Sequence, residues 1–506
     1  MNIARIIADR CRTQGERVAI RFEGRDCSYA AFDREVERCA SALHGLDVGK
    51  GDRVAYQLTK RIEILFLHFA ILSLGAVALP LNPDYRPEEL EYFLSDSGSR
   101  LFITESERFN AAQERLLGLS GLRTFLLDDD QAAGSWQAAL HHAALPFARP
   151  YAAAGDDTAM LCYTSGTTGR SKGAMITHRN LAANAEALHR TWEWSEQDRL
   201  LHVLPLFHVH GLNVAALGSL YAGATMVMHR RFEPRLAWEA LVQEKCTLLM
   251  AVPTIYQRLM NEWESLDTRP DISSVRLFIS GSAPLSDTQF LRFEQQTGFR
   301  ILERYGMTET GMITSNLPDP ARRIAKSVGY PLPGVKIQVM TPDRAAAGPG
   351  EVGEVWVRGD NVFKGYWGME EKTRESFVDG WFRTGDLGWR DPADGDRLYL
   401  AGRAKELIIS GGYNVYPKEV ENVLESHPGV KEAAVFGMPD DDFGERVVAA
   451  VVPRPGAGAD LEGELKDFCR DRLAAYKCPR QFHFLEELPR NAMGKLQKNL
   501  LAENLL

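Results

Sequence analysis

The sequence predicts an α/β protein: a large N-terminal domain of parallel βαβ sheets with a β-barrel-like subdomain, then a small α+β C-terminal domain. Three observations carry this reading. Helical patterns alternate with short apolar runs up to about residue 328. From 329 to 402 the texture changes to short alternating strands broken by Gly, Pro and Asp, as in Val335-Lys-Ile-Gln-Val339 and Gly353-Glu-Val-Trp-Val-Arg358. Beyond 403 the chain mixes helical patterns at 417–426 and 461–473 with strand-like runs at 433–437 and 447–452. At 506 residues the chain is too long for one core, and the texture divides it into 1–402 and 403–506.

Within 1–150, Arg53-Val-Ala-Tyr-Gln-Leu58 precedes a helical pattern at 61–74, followed by Ala76-Val-Ala-Leu79, a helical pattern at 87–94 and Leu101-Phe-Ile-Thr104. Strand and helix repeating at this spacing make βαβ units and a parallel sheet. Residues 128–154, rich in Ala, Asp and Gly, read as a loosely packed surface excursion. Later come a helix at 178–190, the strand Leu200-Leu-His-Val-Leu204 and a small-residue helix at 211–222. The strands Thr247-Leu-Leu-Met-Ala-Val252, Val275-Arg-Leu-Phe-Ile279 and Arg300-Ile-Leu-Glu-Arg-Tyr305 each run into a polar loop. Loops at the carboxyl ends of parallel strands are where ligands bind.

Composition excludes several classes of function. A formal charge of −9 supplies no basic field for nucleic acid. The most hydrophobic run, 64–81, contains His68, Gly75 and Pro80, so it reads as a buried helix, a turn and a buried strand rather than a membrane span. Seven scattered cysteines with no C-x-x-C fit reduced thiols in a cytosol-like, cytoplasmic setting, and the N-terminus shows no secretory pattern. Oligomeric state is left open, a homo-oligomer included.

The stretch around which the rest is organised is Thr164-Ser-Gly-Thr-Thr-Gly-Arg-Ser-Lys-Gly173, directly after the apolar run Ala159-Met-Leu-Cys-Tyr163. Glycines let backbone approach a bulky anion, hydroxyls and amides donate to phosphate oxygens, and Lys172 adds a point charge. The spacing is not that of a Walker loop. It reads as a polyphosphate loop of another kind.

Six further motifs follow in order: Leu204-Pro-Leu-Phe-His208, Ser280-Gly-Ser-Ala-Pro-Leu285, Tyr305-Gly-Met-Thr-Glu309, Phe382-Arg-Thr-Gly-Asp386, Gly402-Arg-Ala-Lys405 and Pro489-Arg-Asn-Ala-Met-Gly-Lys495. With these the sequence resembles the adenylate-forming acyl-CoA synthetases, a superfamily that also holds luciferases and peptide-synthetase adenylation domains. The resemblance covers nearly the whole chain. It implies ATP, Mg²⁺ and coenzyme A as cofactors, a small carboxylic acid as substrate, and a mobile C-terminal domain with its hinge near Lys405.

By the same resemblance, Lys172, Thr164, Ser165, Gly166, Thr167, Thr168 and Gly169 face the β- and γ-phosphates, Thr308 the α-phosphate, and Glu309 the metal ion. Tyr305 stacks on adenine beside Ser280, Gly281, Ser282, Ala283 and Pro284, with Glu303 and Arg304 in the same nucleotide-binding set. Asp386 accepts the ribose hydroxyls, supported by Arg403. Lys495 stands between the attacking carboxylate and the α-phosphate, where the transition state gathers charge. In the thioester-forming step, Gly411 and Gly412 leave room for the pantetheine arm, and Lys477 and Arg446 are weaker candidates for CoA phosphates.

The acid pocket is expected among 204–211, 252–259 and the loops at Ser280 and Tyr305. Its residues are polar, including His208-Val-His210 and Val252-Pro-Thr-Ile-Tyr-Gln-Arg258. Two alternating histidines without a third ligand nearby do not suggest zinc, so His208 reads as a pocket donor and His210 as structural. Within the superfamily these runs look most like malonyl-CoA synthetases, which implies that Arg258 grips a second carboxylate and that Met307 bounds the pocket at the α-carbon. Spacing alone equally permits Arg258 on the outside of its helix.

Overall fold

The computed structural model describes residues 2–128, 135–164, 171–410, 413–440, 443–458, 460–491 and 496–505. A six-stranded sheet has the order Arg123–Leu126, Leu101–Thr104, Arg53–Gln57, Val77–Pro80, Thr158–Thr164 and Lys172–Thr177. Its first five strands run parallel, and the last pair forms an antiparallel hairpin. The run at 64–81 is the buried helix Glu63–Ser73, a turn at Gly75 and the buried strand Val77–Pro80. Among the described residues no helix is long and apolar enough to cross a membrane.

A second, fourteen-stranded sheet carries the site. Its parallel part has Thr225–Met228, Arg199–His202, Leu248–Ala251, Leu277–Ser280 and Leu302–Met307 in that spatial order. Thr225–Met228, Leu248–Ala251 and Leu277–Ser280 are buried along their whole length, which fits strands covered on both faces. Beyond Leu302–Met307 the pairing turns antiparallel through Gly311–Ser315, Ser327–Pro331, Arg397–Arg403, Trp381–Asp391, Gly353–Arg358 and Lys336–Met340. This is the antiparallel texture expected from 329 to 402. A third sheet of five strands, built on the long hairpin Val430–Asp440 and Gly444–Pro453, forms the C-terminal domain with helices Pro417–Glu425 and Leu461–Arg470.

Three features depart from the sequence reading. The hairpin Val18–Phe22 and Arg25–Ser28 leaves the N-terminal sheet and pairs in parallel with Thr225–Met228, because the apolar face Ala19, Ile20 and Phe22 is buried there. Residues 128–154 are not wholly loose: helix Ser135–His141 seats Trp136 in the core. The small-residue helix at 211–222 starts as a π-helix, His210–Ala216, before becoming α-helical at Leu217–Ala222. Single π-turns of this kind concentrate at functional sites.

The core holds several neutral histidines. His68 accepts or donates at Nδ1 with the Tyr56 hydroxyl at 3.0 Å, and His202 Nε2 lies 2.9 Å from the Gly211 carbonyl. Burial pushes His68 and His202 down to about 3 and His178 to about 4. In the unfolded chain each titrates near 6.5. The folded protein therefore suffers no penalty from them above about pH 6.5. Below it the unfolded state takes up protons that the folded state refuses, at about 1.4 kcal/mol per site and pH unit. Unfolding free energy from guanidinium titrations is expected to drop by roughly 3 kcal/mol between pH 6.5 and 5.5 from these three sites, because the slope only approaches its full value below the unfolded pKa; an unchanged value would contradict their burial as neutral groups.

Candidate functional site

The strand ends of the second sheet and the hairpin of the first face a common crevice. Thr164 and Lys172 sit opposite each other where the hairpin Thr158–Thr164 and Lys172–Thr177 opens. Ser165, Gly166, Thr167, Thr168 and Gly169 lie outside the described residues, as do Gly411, Gly412 and Lys495. The segment 364–367 runs along the second hairpin strand. Met175 N–H donates to the Gly365 carbonyl at 2.9 Å, Lys364 N–H to Met175 at 3.0 Å, and Trp367 N–H to Gly173 at 2.8 Å. This pairing places the Tyr366 ring 5.3 Å from Lys172 Nζ.

The Tyr366 hydroxyl in turn donates to Glu309 Oε1 at 3.1 Å, and Phe363 N–H donates to the Glu309 carbonyl at 2.7 Å. Ammonium, ring and buried carboxylate thus form one row, with Thr308 half-buried beside them. Burial, and then the charge of Lys372, pulls the Lys172 ammonium below its ordinary value. An anion arriving there relieves that cost. A single buried carboxylate suits Mg²⁺, which takes few protein oxygens and keeps waters and phosphate oxygens as its other ligands. Among the described residues no group of three His, Cys, Asp or Glu is placed to hold a metal ion. Tyr366, in contact with both Lys172 and Glu309, is a candidate that motif reasoning missed. The available signal was Gly365-Tyr366-Trp367, two aromatics beside a glycine within a turn.

On the nucleoside side, Asp386 is buried at the centre of a three-residue cluster. The Tyr305 hydroxyl donates to Asp386 Oδ2, and Arg403 Nε lies 2.7 Å from Oδ1. A carboxylate only accepts hydrogen bonds and can take both hydroxyls of a diol, as a ribose requires. The order of strands explains the cluster: Asp386 pairs directly with Arg403 across the ladder. Asp386 and Arg403 were expected together, and they are; Tyr305, expected at the adenine, joins them through its hydroxyl.

The acid side is built by the loop after Leu277–Ser280. Ser286 caps the following helix Asp287–Thr297 by accepting from Gln289 N–H, and Glu303 Oε1 accepts from Leu285 N–H at 3.2 Å. These two contacts fix loop 281–285 from behind, with Ala283 half-buried and Pro284 exposed. Burial raises the Glu303 carboxyl to about 8. Ser282, at φ +71°, aims its hydroxyl at His210 Nδ1, 3.1 Å away, while His210 N–H donates to His208 Nδ1 at 3.2 Å. Burial, then the charge of Arg304, holds His210 neutral, well below the usual imidazole range.

Three sequence expectations shift on this side. His210 shares the crevice with half-buried His208 instead of serving the core alone. Met307 packs against the cluster of Phe363, Tyr366 and Phe382, on the Glu309 side. Arg258 is solvent-exposed on helix Pro253–Ser265, whose inward face is taken by Tyr256, Leu259, Met260 and Trp263. Of the CoA-phosphate candidates, Lys477 is ion-paired with Glu419 at 2.6 Å, and Arg446 lies 3.9 Å from Asp440.

Comparison with known proteins agrees with this geometry. Residues 7–367 match the AMP-binding enzyme family, and residues 419–495 match the AMP-binding enzyme C-terminal domain. The chain is 36% identical to the mitochondrial malonate–CoA ligase ACSF3 of Mus musculus, over 92% of this chain and 84% of that protein. It is 38% identical to the indoleacetate–CoA ligase of Aromatoleum aromaticum, over 96% of this chain and 94% of that one. The ATP-bound crystal structure of MatB from Rhodopseudomonas palustris superposes with a TM-score of 0.92 at 39% identity, covering 100% of this chain and 99% of MatB.

The Tyr366 hydroxyl is a neutral donor to the Glu309 carboxylate, at 3.1 Å. Tyr366→Phe keeps the ring under Lys172 and removes only that donor. A hydrogen bond to a charged group is worth roughly 1.5–3 kcal/mol. Calorimetric titration with ATP and Mg²⁺ is expected to show binding weakened by about 10-fold or more; unchanged affinity would separate Tyr366 from the metal side of the site.

Proposed function

The chain belongs to the AMP-binding enzyme family and is an acyl-CoA ligase, and from that premise we propose that it joins malonate to coenzyme A at the expense of ATP, releasing AMP and diphosphate. The observation that carries the choice of acid is the make-up of the crevice beside Ser280. The reading is supported by the polarity of this rim, where His208 and Ser282 are half-buried and His210, Ser280 and Arg304 buried, since a long-chain or aromatic acid would need apolar walls. A small acid with a second anionic group fits such a lining. The murine relative's name, a malonate–CoA ligase, agrees with that choice.

In the first step one carboxylate of the acid attacks the α-phosphorus and diphosphate leaves. Both partners are anions, so the chain's task is to cancel charge along the line of attack. We assign Lys172 and the 164–169 loop to the leaving phosphates, Thr308 to the α-phosphate, and Glu309, positioned by Tyr366, to Mg²⁺. The metal ion supplies charge neutralisation between phosphate oxygens. Tyr305 and Asp386 with Arg403 hold the nucleoside. Lys495 reaches the oxygens shared by acid and α-phosphate. In the second step the CoA thiol attacks the acyl carbonyl and AMP leaves. Before that step the C-terminal domain pivots at Lys405, which removes Lys495 and brings in the Gly411–Gly412 segment.

Two experiments test this. Diphosphate release measured over a panel of acids is expected to favour malonate by at least 10-fold in kcat/KM over acetate, butyrate, indoleacetate and ferulate. A lead for any monocarboxylate overturns the choice of malonate and leaves the ligase activity standing. Lys495→Ala is expected to slow formation of the acyl-adenylate by about 10²–10³, the cost of about 3–4 kcal/mol for removing a transition-state donor. An undiminished adenylation rate would place Lys495 outside the first step.

A further inference from the structure

One helix, Pro87–Ser97, holds both arms of the phosphate hairpin and the segment laid along it. The Tyr92 hydroxyl donates to the Ser171 carbonyl at 2.7 Å, one residue before Lys172. The Tyr163 hydroxyl, one residue before Thr164, donates to Asp96 Oδ2 at 2.5 Å. Trp367 Nε1 donates to the Asp96 carbonyl at 3.1 Å, while the Trp367 N–H donates to Gly173. Tyr92 and Asp96 are four residues apart, so these contacts leave from one face of the helix. Thr164 and Lys172 are register partners at the mouth of the hairpin. The helix therefore touches the chain next to each of them.

The helix is itself fixed at both ends. In its first turn the Arg86 N–H donates to Glu89 Oε2 at 2.9 Å. At its far end the carbonyls of Ser97 and Gly98 accept from the Arg53 guanidinium at 2.7 and 2.6 Å. That guanidinium also lies 5.5 Å from the Trp367 ring. Phe93, beside Tyr92, packs on the Tyr163 ring with centroids 4.7 Å apart. Packing at this contact needs no hydroxyl, as Phe93 shows. The hydroxyls of Tyr92 and Tyr163 instead fix where the two arms stand. Burial, then the hydrogen bond to Asp96, pushes the Tyr163 phenol above its ordinary value, so it stays a neutral donor.

We propose that Tyr92 and Asp96 are positioning residues for the first half-reaction. They set the spacing of the Thr164 and Lys172 arms, and through it the place of the Lys172 ammonium against the leaving phosphates. The assignment rests on the reading of Lys172 as the cation for those phosphates. A binding group works only when held within about 0.5 Å of its productive place, and hydrogen-bonded supports behind it do the holding.

The test compares ATP with AMP, which lacks the leaving phosphates, by calorimetric titration in the presence of Mg²⁺. The proteins are native enzyme, Tyr92→Phe, Asp96→Ala, Asp96→Asn and Lys172→Ala. Tyr92→Phe keeps the ring and is expected to weaken ATP about 3- to 10-fold while leaving AMP within about 2-fold of native. Asp96→Ala strips the Tyr163 hydroxyl of its acceptor and should weaken ATP on the order of 10-fold, again sparing AMP. Asp96→Asn keeps an oxygen acceptor and should recover most of that loss. An unchanged ATP affinity in Tyr92→Phe or in Asp96→Ala overturns the assignment, as do equal losses for ATP and AMP, which mark a merely structural role. If Asp96→Ala does not fold, Tyr92→Phe decides. A native ATP-to-AMP ratio in Lys172→Ala removes the reading beneath the assignment.

Discussion

One strand, Leu302–Met307, is parallel to its neighbour on one edge and antiparallel to its neighbour on the other, and the site depends on that switch. The parallel side delivers the ends of Arg199–His202, Leu248–Ala251 and Leu277–Ser280 to one rim, where each chain leaves the sheet in a loop. On the antiparallel side the chain turns back at once through Thr308, Glu309 and Thr310 into Gly311–Ser315. The metal-side carboxylate is therefore presented by a tight turn, not by a long crossover. The turn closes so tightly that a Cβ on Gly306 would lie 2.2 Å from the Gly311 carbonyl oxygen. Glycine there is a steric requirement.

The same strand divides the chemistry. Side chains of neighbouring strand residues point to opposite faces, so Glu303 supports the loop after Ser280 from behind, Arg304 lies against Gly281, and Tyr305 reaches Asp386. The bulge between Tyr305 and Gly306 resets the alternation before Met307. That reset gives a physical reason for Met307 to meet Phe363 and Phe382 and not the histidines.

How much of this is legible in the sequence depends on whether a feature is local. The phosphate hairpin, the Tyr305–Glu309 turn and the Asp386–Arg403 partnership are carried by contiguous motifs, and βαβ texture suffices to place them at strand ends. The hairpin at 18–28 joins a strand some two hundred residues away, at Thr225–Met228, and no local pattern reports that choice. Tyr366 matters because backbone pairing between 364–367 and the hairpin lays it over Lys172, again a distant contact. Arg258 is different, since its exposure was readable. Tyr256, Leu259, Met260 and Trp263 repeat at helical spacing and claim the inward face of their helix. Residue 258 falls on the other side of that pattern. The resemblance drew attention to the cation and away from the periodicity.

The C-terminal domain fastens the segments on either side of 492–495 into one unit. On either side of 492–495, Arg490 bridges to Leu496, Gln497 N–H donates to the Pro489 carbonyl at 2.9 Å, and Arg490 pairs with Glu432 on the long hairpin at 2.8 Å. Lys498 continues the connection: its Nζ lies 2.6 Å from Glu421 and 3.4 Å from Glu406, the latter in the turn Ala404–Glu406 next to the hinge. The Glu421 carboxylate is buried and also accepts from Val435 N–H at 3.0 Å. A buried carboxylate shared between an ammonium and a strand amide is strongly held, because breaking either contact leaves charge unsolvated. The segments flanking Lys495 are thereby fastened to both the hairpin and the hinge turn. A rotation at the hinge proposed near Lys405 would carry these flanking segments as one unit.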